Sequence, residues 1–275
     1  MKPRTTDEAG TVDRTERPEA GRSLRVLLAE DDQVNQRLAV HILERLGHQV
    51  QVANDGIEAV GIFDRSPFDL VLMDVQMPEM GGVDATRRIR EIEAKRGGHV
   101  PIVAMTAHAM EGDRERFLEC GMDEYVSKPI SPEHLRELVR TLAGDAGMHR
   151  APTTAAGSSP GTATFDGQAL LARVESDKEL LGTLVAVFKA DRPGLMAGIE
   201  EALAAGDAVA LADIAHTMKG ALSVFGVEPA RSTAEQLEMA GREKRLQNAR
   251  ELYDRLGHEV VAAEHGLEAF LSEVS

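Results

Sequence analysis

Two side chains of different chemistry stand out. Asp74 closes the apolar run Asp69-Leu70-Val71-Leu72-Met73, and His216 lies within His216-Thr217-Met218-Lys219-Gly220. A carboxylate and an imidazole are both nucleophiles that form covalent intermediates, and each can carry a phosphoryl group. A chain with one of each reads most simply as a two-stage phosphoryl carrier.

Asp74 needs company to do that chemistry. Glu30-Asp31-Asp32 ends one apolar run, Thr106 ends another, and Lys128-Pro129 follows a third. In open α/β sheets, ligands gather beyond the carboxyl ends of the strands. If the first and third strands are neighbours, Glu30, Asp31 and Asp74 converge. Carboxylates that close repel one another and raise one another's pKa. A hard divalent cation resolves the conflict. Mg²⁺ takes a few carboxylates together with waters and phosphate oxygens, which matches this inventory. Asp74 then serves as nucleophile, the metal and Lys128 offset charge on the transferring oxygens, and the Thr106 hydroxyl donates to one of them. Alone, Asp74 would pass for a cap on the following segment. With Glu30, Asp31, Thr106 and Lys128 at the other strand ends, that reading fails.

The elements that must position these groups are legible as alternating patterns. Five apolar pieces (residues 25–29, 49–53, 69–73, 101–105 and 124–127) alternate with amphipathic stretches between residues 24 and 143. The first, third and fourth are nearly continuous apolar runs, as suits parallel strands covered on both faces. Val34, Leu38, His41, Ile42 and Leu46 predict a helix, with Asp32 as its N-cap and Gly47 as its stop. Strand then helix, five times over, predicts an α/β domain with right-handed crossovers.

Residues 144–165 are rich in Gly, Ala, Ser, Thr and Pro, the composition of a flexible linker. Beyond residue 166 the β signals vanish. Leu180, Leu184, Val187 and Phe188 share one helical face, and Pro193 suits the first position of a helix carrying Leu195, Ile199 and Leu203. Further stripes comprise Leu211, Ile214, Met218, Leu222 and Phe225, then Ala230, Ala234 and Leu237, then Ala249 to Phe270. Residues 166–275 therefore predict an all-α, four-helix-type bundle.

On its helix His216 lies about 140° from Leu211 and about 180° from Phe225, which predicts a solvent-facing imidazole. A helical side chain leans over the preceding turn, so position 220 would cover His216, and it is glycine. Glycine in a helix interior costs on the order of 1 kcal/mol relative to alanine. Access for a partner would explain it. Lys219 stands ready to meet the incoming phosphoryl charge.

Residues 24–143 resemble the receiver domain of bacterial response regulators. The match rests on Leu27-Leu28-Ala29-Glu30-Asp31-Asp32, Met73-Asp74-Val75-Gln76-Met77-Pro78, Met105-Thr106-Ala107 and Ser127-Lys128-Pro129, four motifs in order. The resemblance implies a flavodoxin-like, doubly wound, five-stranded parallel sheet. It implies that Glu30, Asp31, Asp74 and the Gln76 backbone carbonyl hold Mg²⁺, with Glu30 acting through a metal-bound water. It implies that Thr106 and Tyr125 form a switch pair, that the Lys128–Pro129 bond is cis, and that Gln76 and His108 tune acyl-phosphate lifetime. His216-Thr217-Met218-Lys219-Gly220-Ala221-Leu222, with Gly226 farther on, resembles the histidine phosphotransfer (HPt) domain. Together these imply a phosphorelay protein. Its partners would be a sensor histidine kinase and a downstream response regulator.

Composition narrows the function classes. The 275 residues include 31 basic and 46 acidic side chains, a formal net charge of -15. That opposes a polyanion partner, so nucleic acid and anionic membranes are not expected. Cys120 is the one cysteine and reads as a core residue. No apolar run approaches the ~18 residues of a membrane span. Residues 1–23 are polar, which argues against a secretory signal and reads as a disordered lead-in. A cytoplasmic protein is expected. No glycine-rich nucleotide loop or ATP-binding kinase domain is evident. The opening Met1 favours a free-standing protein, with the C-terminal portion of a hybrid sensor histidine kinase as the alternative. An Asp-nucleophile phosphatase would want a general acid two residues after Asp74, where Gln76 stands.

Overall fold

The computed structural model describes residues 23–106, 113–142 and 165–274. His108, the expected linker apart from Phe165, and the expected lead-in apart from Ser23 lie outside these residues. The first part alternates strand and helix: β1 (Arg25–Ala29), α1 (Gln33–Arg45), β2 (Gln49–Ala53), α2 (Gly56–Arg65), β3 (Leu70–Asp74), α3 (Gly82–Arg96), β4 (Ile102–Thr106), α4 (Asp113–Glu119), β5 (Glu124–Ser127) and α5 (Pro132–Leu142). The strands pair in parallel in the order β2-β1-β3-β4-β5.

Burial follows from that order. Every residue of β3 and β4 is buried, because these strands are flanked by others and covered on both faces. β2 lies at an edge, and its glutamines at 49 and 51 are exposed. β1 and β3 are neighbours with Ala29 opposite Met73. Glu30 and Asp74 each stand one residue farther on, so the register itself delivers both carboxylates to one end of the sheet. The first turn of α3 packs directly on this end. A Cβ at Gly82 would fall 2.1 Å from the Asp74 carbonyl oxygen, so only glycine permits the approach.

The second part is helical: α6 (Gly167–Arg173), α7 (Lys178–Ala205), α8 (Ala208–Phe225), α9 (Glu228–Arg242) and α10 (Ala249–Val274). Asp166, Asp177 and Asp207 cap α6, α7 and α8 by accepting from backbone N–H groups, and left-handed glycines 206 and 226 end α7 and α8. Two sequence expectations need correction. Pro193 does not begin a helix; it lies inside the continuous 28-residue α7. A proline interior to a helix forfeits one hydrogen bond, and the buried face from Leu180 to Ala202 carries the helix across it. α8 is also long and apolar enough to cross a membrane by length and composition, with a mean hydropathy of 1.2, although 56% of it is buried inside the protein. It packs between α7 and α9 in the bundle. A Cβ on Gly241 of α9 would come within 2.6 Å of the Ala208 carbonyl oxygen, so α8 and α9 touch backbone to backbone.

The two parts meet through α1, which packs against α7 and α8. One apolar cluster runs without a break from Leu28, Leu38 and Ile42 through Leu184, Met218 and Leu222. Charges ring the contact. Glu175 pairs with Arg136 and with Arg45 at 3.8 Å, and His41 Nε2 lies 3.4 Å from Asp177.

Candidate functional site

Glu30, Asp31 and Asp74 each offer an oxygen, and these oxygens lie within 4.8 Å of one another. Glu30 and Asp74 are each 1% exposed. Lys128 directly follows β5, is joined to Pro129 by a cis bond, and reaches in between them. Its Nζ donates to Glu30 Oε1 at 2.7 Å and to Asp74 Oδ2 at 2.6 Å. The Gln76 backbone N–H donates to the other Asp74 oxygen at 3.0 Å, fixing the carboxylate in place.

The electrostatics are lopsided. Burial pushes the Glu30 carboxyl well above its usual range; Lys128 opposes this, and Asp74, Asp31 and Asp32 add to it. Burial and the charge of Asp74 raise Asp31. Burial raises Asp32 to about 7 despite the N–H of Asn35, which it caps. Burial alone would lower Lys128, but the flanking Asp74 and Glu30 charges raise it, so it stays cationic. One ammonium thus faces three carboxylates, and the donor set fits a hard divalent cation. Thr106 ends β4 beside this pocket, 8% exposed, opposite Ser127. Tyr125 is half-buried on β5 and packs against Phe117, ring centroids 6.4 Å apart. Cys120 is buried, with its Sγ donating to the Phe117 carbonyl oxygen.

The second site departs from expectation. His216 is not solvent-facing; it is only 8% exposed. A helical wheel places it off the core stripe of α8, and the faces that cover it belong to α9 and to the docked first domain. His216 Nδ1 lies 2.9 Å from Glu238 Oε1 on α9. Glu238 also receives Lys219 Nζ at 2.6 Å and the Arg242 guanidinium. Burial would raise the Glu238 carboxyl, but the His216 hydrogen bond and the His216 and Lys219 charges outweigh it and hold it down at about 2. An ionised carboxylate only accepts, so Nδ1 carries a proton toward Glu238, and in the neutral ring Nε2 is then the nitrogen with the lone pair. Lys219 is 2% exposed and turned toward Glu238.

Sequence reasoning missed Glu238. A signal was present: Glu238 follows Leu237 and sits four residues after Ala234, so a carboxylate interrupts the apolar stripe of α9.

The two sites face a common space. A cavity of about 220 Å³ is lined by Asp31, Gln76, Met77 and Pro78 from the sheet end and by Asp213, His216 and Arg242 from the bundle. Thr217 Oγ1 donates to Asp31 Oδ2 across the contact at 2.9 Å. A Cβ on Gly220 would meet Asn35 Nδ2 at 3.0 Å and Asp32 Oδ2 at 3.8 Å. The absent side chain therefore admits the start of α1.

The chain thus joins a parallel sheet with an acidic strand end to a helical bundle that carries a buried histidine. Residues 26–140 match the response regulator receiver domain and residues 183–272 match the Hpt domain. The chain therefore carries a response regulator receiver domain followed by an Hpt domain. It is 36% identical over 227 residues to sensor histidine kinase GacS of Pseudomonas protegens, covering 80% of this chain and 24% of that one. It is 31% identical over 221 residues to aerobic respiration control sensor protein ArcB of Escherichia coli K12, covering 78% and 28%. The chain thus spans about a quarter of the length of these relatives. The receiver domain of sensor histidine kinase PA1611 from Pseudomonas aeruginosa PAO1, solved with a magnesium ion in its active-site cleft, is 40% identical. It covers 45% of this chain and 99% of its own, with a TM-score of 0.41. Receiver and Hpt domains work with kinases and response regulators in phosphorelays.

Proposed function

We propose that this chain moves one phosphoryl group between Asp74 and His216. The observation that carries this reading is the shared cavity, which has the receiver's β3–α3 loop and Asp31 on one wall and His216 on the other.

In the receiver, Asp74 is the phosphoacceptor, and Glu30, Asp31, Asp74 and the Gln76 carbonyl hold Mg²⁺. The cation, when bound, neutralises charge on the transferring oxygens. The chain's own residues do the rest. The Gln76 N–H and Lys128 each hold one Asp74 oxygen, and Lys128 remains charged because its two carboxylate partners keep it so. An Asp74 oxygen attacks phosphorus of a kinase phosphohistidine, the P–N bond breaks, and the imidazole departs with the electron pair as a neutral ring that keeps the proton on its other nitrogen. Thr106 donates to a phosphoryl oxygen and, with Tyr125, reports the loaded state.

In the reverse sense of the same chemistry, His216 Nε2 attacks phosphorus of the Asp74 acyl phosphate. The P–O bond to Asp74 breaks and the carboxylate leaves. Glu238 holds the proton on Nδ1 and stabilises the positive charge that develops on the ring. Lys219, buried against Glu238, offsets the charge of that carboxylate. The partners are a sensor histidine kinase upstream and a response regulator downstream, in the cytoplasm, and the receiver domain extends over residues 24–143 and the Hpt domain over 166–275.

The test is label chemistry. Protein charged from a phosphorylated kinase with Mg²⁺ should carry both an alkali-labile acyl phosphate and an alkali-stable phosphohistidine. Asp74→Ala should lose both labels, because His216 is loaded through Asp74, and His216→Gln should lose only the second. Label that survives in the double variant would overturn the reading.

A further inference from the structure

Thr217 is the residue after the phosphoacceptor histidine, yet its hydroxyl serves the other domain. Oγ1 lies 2.9 Å from Asp31 Oδ2 and 3.2 Å from the Asp213 carbonyl oxygen of its own helix. A hydroxyl has one proton to give. Donated to a carboxylate, it makes a charge-assisted bond, about twice as strong as one to a neutral carbonyl. Asp31 belongs to the cluster of three oxygens within 4.8 Å of one another. A carboxylate has two oxygens, so the one bonded to Thr217 leaves the other free to face a cation. Groups that hydrogen-bond a ligating carboxylate fix its orientation, and their loss typically weakens metal binding about 10- to 100-fold. Here that group comes from a different domain of the same chain.

We propose that Thr217 is a positioning residue for the receiver's divalent cation, so that cation binding and Hpt docking are linked through the Thr217–Asp31 bond. The inference rests on the reading that Glu30, Asp31 and Asp74 hold Mg²⁺. Linkage is reciprocal: whatever factor docking adds to cation affinity, the cation returns to docking. An Mg²⁺-loaded receiver would then hold its own Hpt domain more tightly than an empty one.

Calorimetric titration of the full chain with MgCl₂ tests this without any phosphotransfer. Thr217→Ser keeps the hydroxyl and should bind Mg²⁺ within about twofold of the parent. Thr217→Val keeps the shape, loses the donor, and should bind about tenfold more weakly. Amide exchange in α1 and α8 should slow on adding Mg²⁺ to the parent and the serine variant but not to the valine variant. Equal affinity of parent and valine variant, or a serine variant as weak as valine, would overturn the proposal while leaving the cation site standing. No Mg²⁺ binding by the parent would instead remove the cation reading, and the proposal with it.

Discussion

The two proposed nucleophiles sit in opposite electrostatic settings. Around Asp74, three clustered carboxylates share one ammonium, and burial pushes Glu30 and Asp31 toward their neutral forms. Around His216, one carboxylate is shared by an imidazole, an ammonium and a guanidinium, and it is held ionised. The contrast follows from the nucleophiles themselves. A carboxylate attacking a phosphoryl group brings like charges together, so its pocket must import a cation. A neutral imidazole brings no charge and needs only its proton kept on the far nitrogen. Glu238 does that, and Lys219 and Arg242 keep Glu238 from becoming an unpaired buried charge.

The largest effects should fall on the nucleophiles. Asp74→Ala should abolish both classes of label and His216→Gln the alkali-stable one alone, each a loss of at least about 100-fold. Acid and alkali stability of the bound phosphate reads this out. Residual label of the wrong class would erase the contrast between the sites.

Next in size is Glu238→Ala, which strands Lys219 at 2% exposure. Removing one partner of a buried pair costs about 3–5 kcal/mol, so urea should unfold this variant at clearly lower concentration. The contrast also has a pH signature. Glu238 is held down at about 2 in the folded state, below its ordinary value. A depressed carboxyl contributes stability that is fully present above roughly pH 4.5 and is lost as pH falls toward 2. The bundle should therefore weaken over that window, and Glu238→Gln should remove this part of the acid dependence. A parent and a glutamine variant with the same acid profile would contradict the assignment.

Much of the receiver was legible in the sequence, for a physical reason. In a parallel sheet each apolar run ends at the same edge, so Glu30, Asp74, Thr106 and Lys128 could be placed by reading the residue after each run. The Asp32 cap and the start of α1 followed from side-chain chemistry alone. The bundle was legible as helices but not as contacts. A helical wheel orders the faces of one helix and says nothing of what packs across them. His216 therefore read as open to solvent, and Lys219 read as reaching for phosphate rather than for Glu238. Pro193 misled because proline marks helix starts by preference and tertiary burial overrode that preference. The contact between the domains has no local signature at all, apart from Gly220.

Smaller effects test that contact. Glu175→Lys reverses the pairing with Arg45 and Arg136. Glu175 is half-buried and both arginines are exposed; surface pairs are worth about 0–1 kcal/mol each, so docking should weaken several-fold, more at low salt than at high salt. Amide exchange in α1 and α8 would report it, and insensitivity at low salt would show that these charges do not hold the domains. Smallest is Gly220→Ala. Its methyl group would press on Asn35 while gaining about 1 kcal/mol of helix propensity. Thermal unfolding of the bundle should rise by a few degrees while transfer from Asp74 slows by a few-fold. A variant that is both more stable and as fast as the parent would remove the access argument.

The central claim is that one phosphoryl group crosses from Asp74 to His216 within a single chain. The direct test loads Asp74 from a small acyl phosphate with Mg²⁺ and times the appearance of alkali-stable label on His216 across a hundredfold range of protein concentration. The account predicts a first-order rate that does not change with concentration and no such label in Asp74→Ala. A rate that rises in proportion to concentration, or His216 labelled equally well without Asp74, would contradict it.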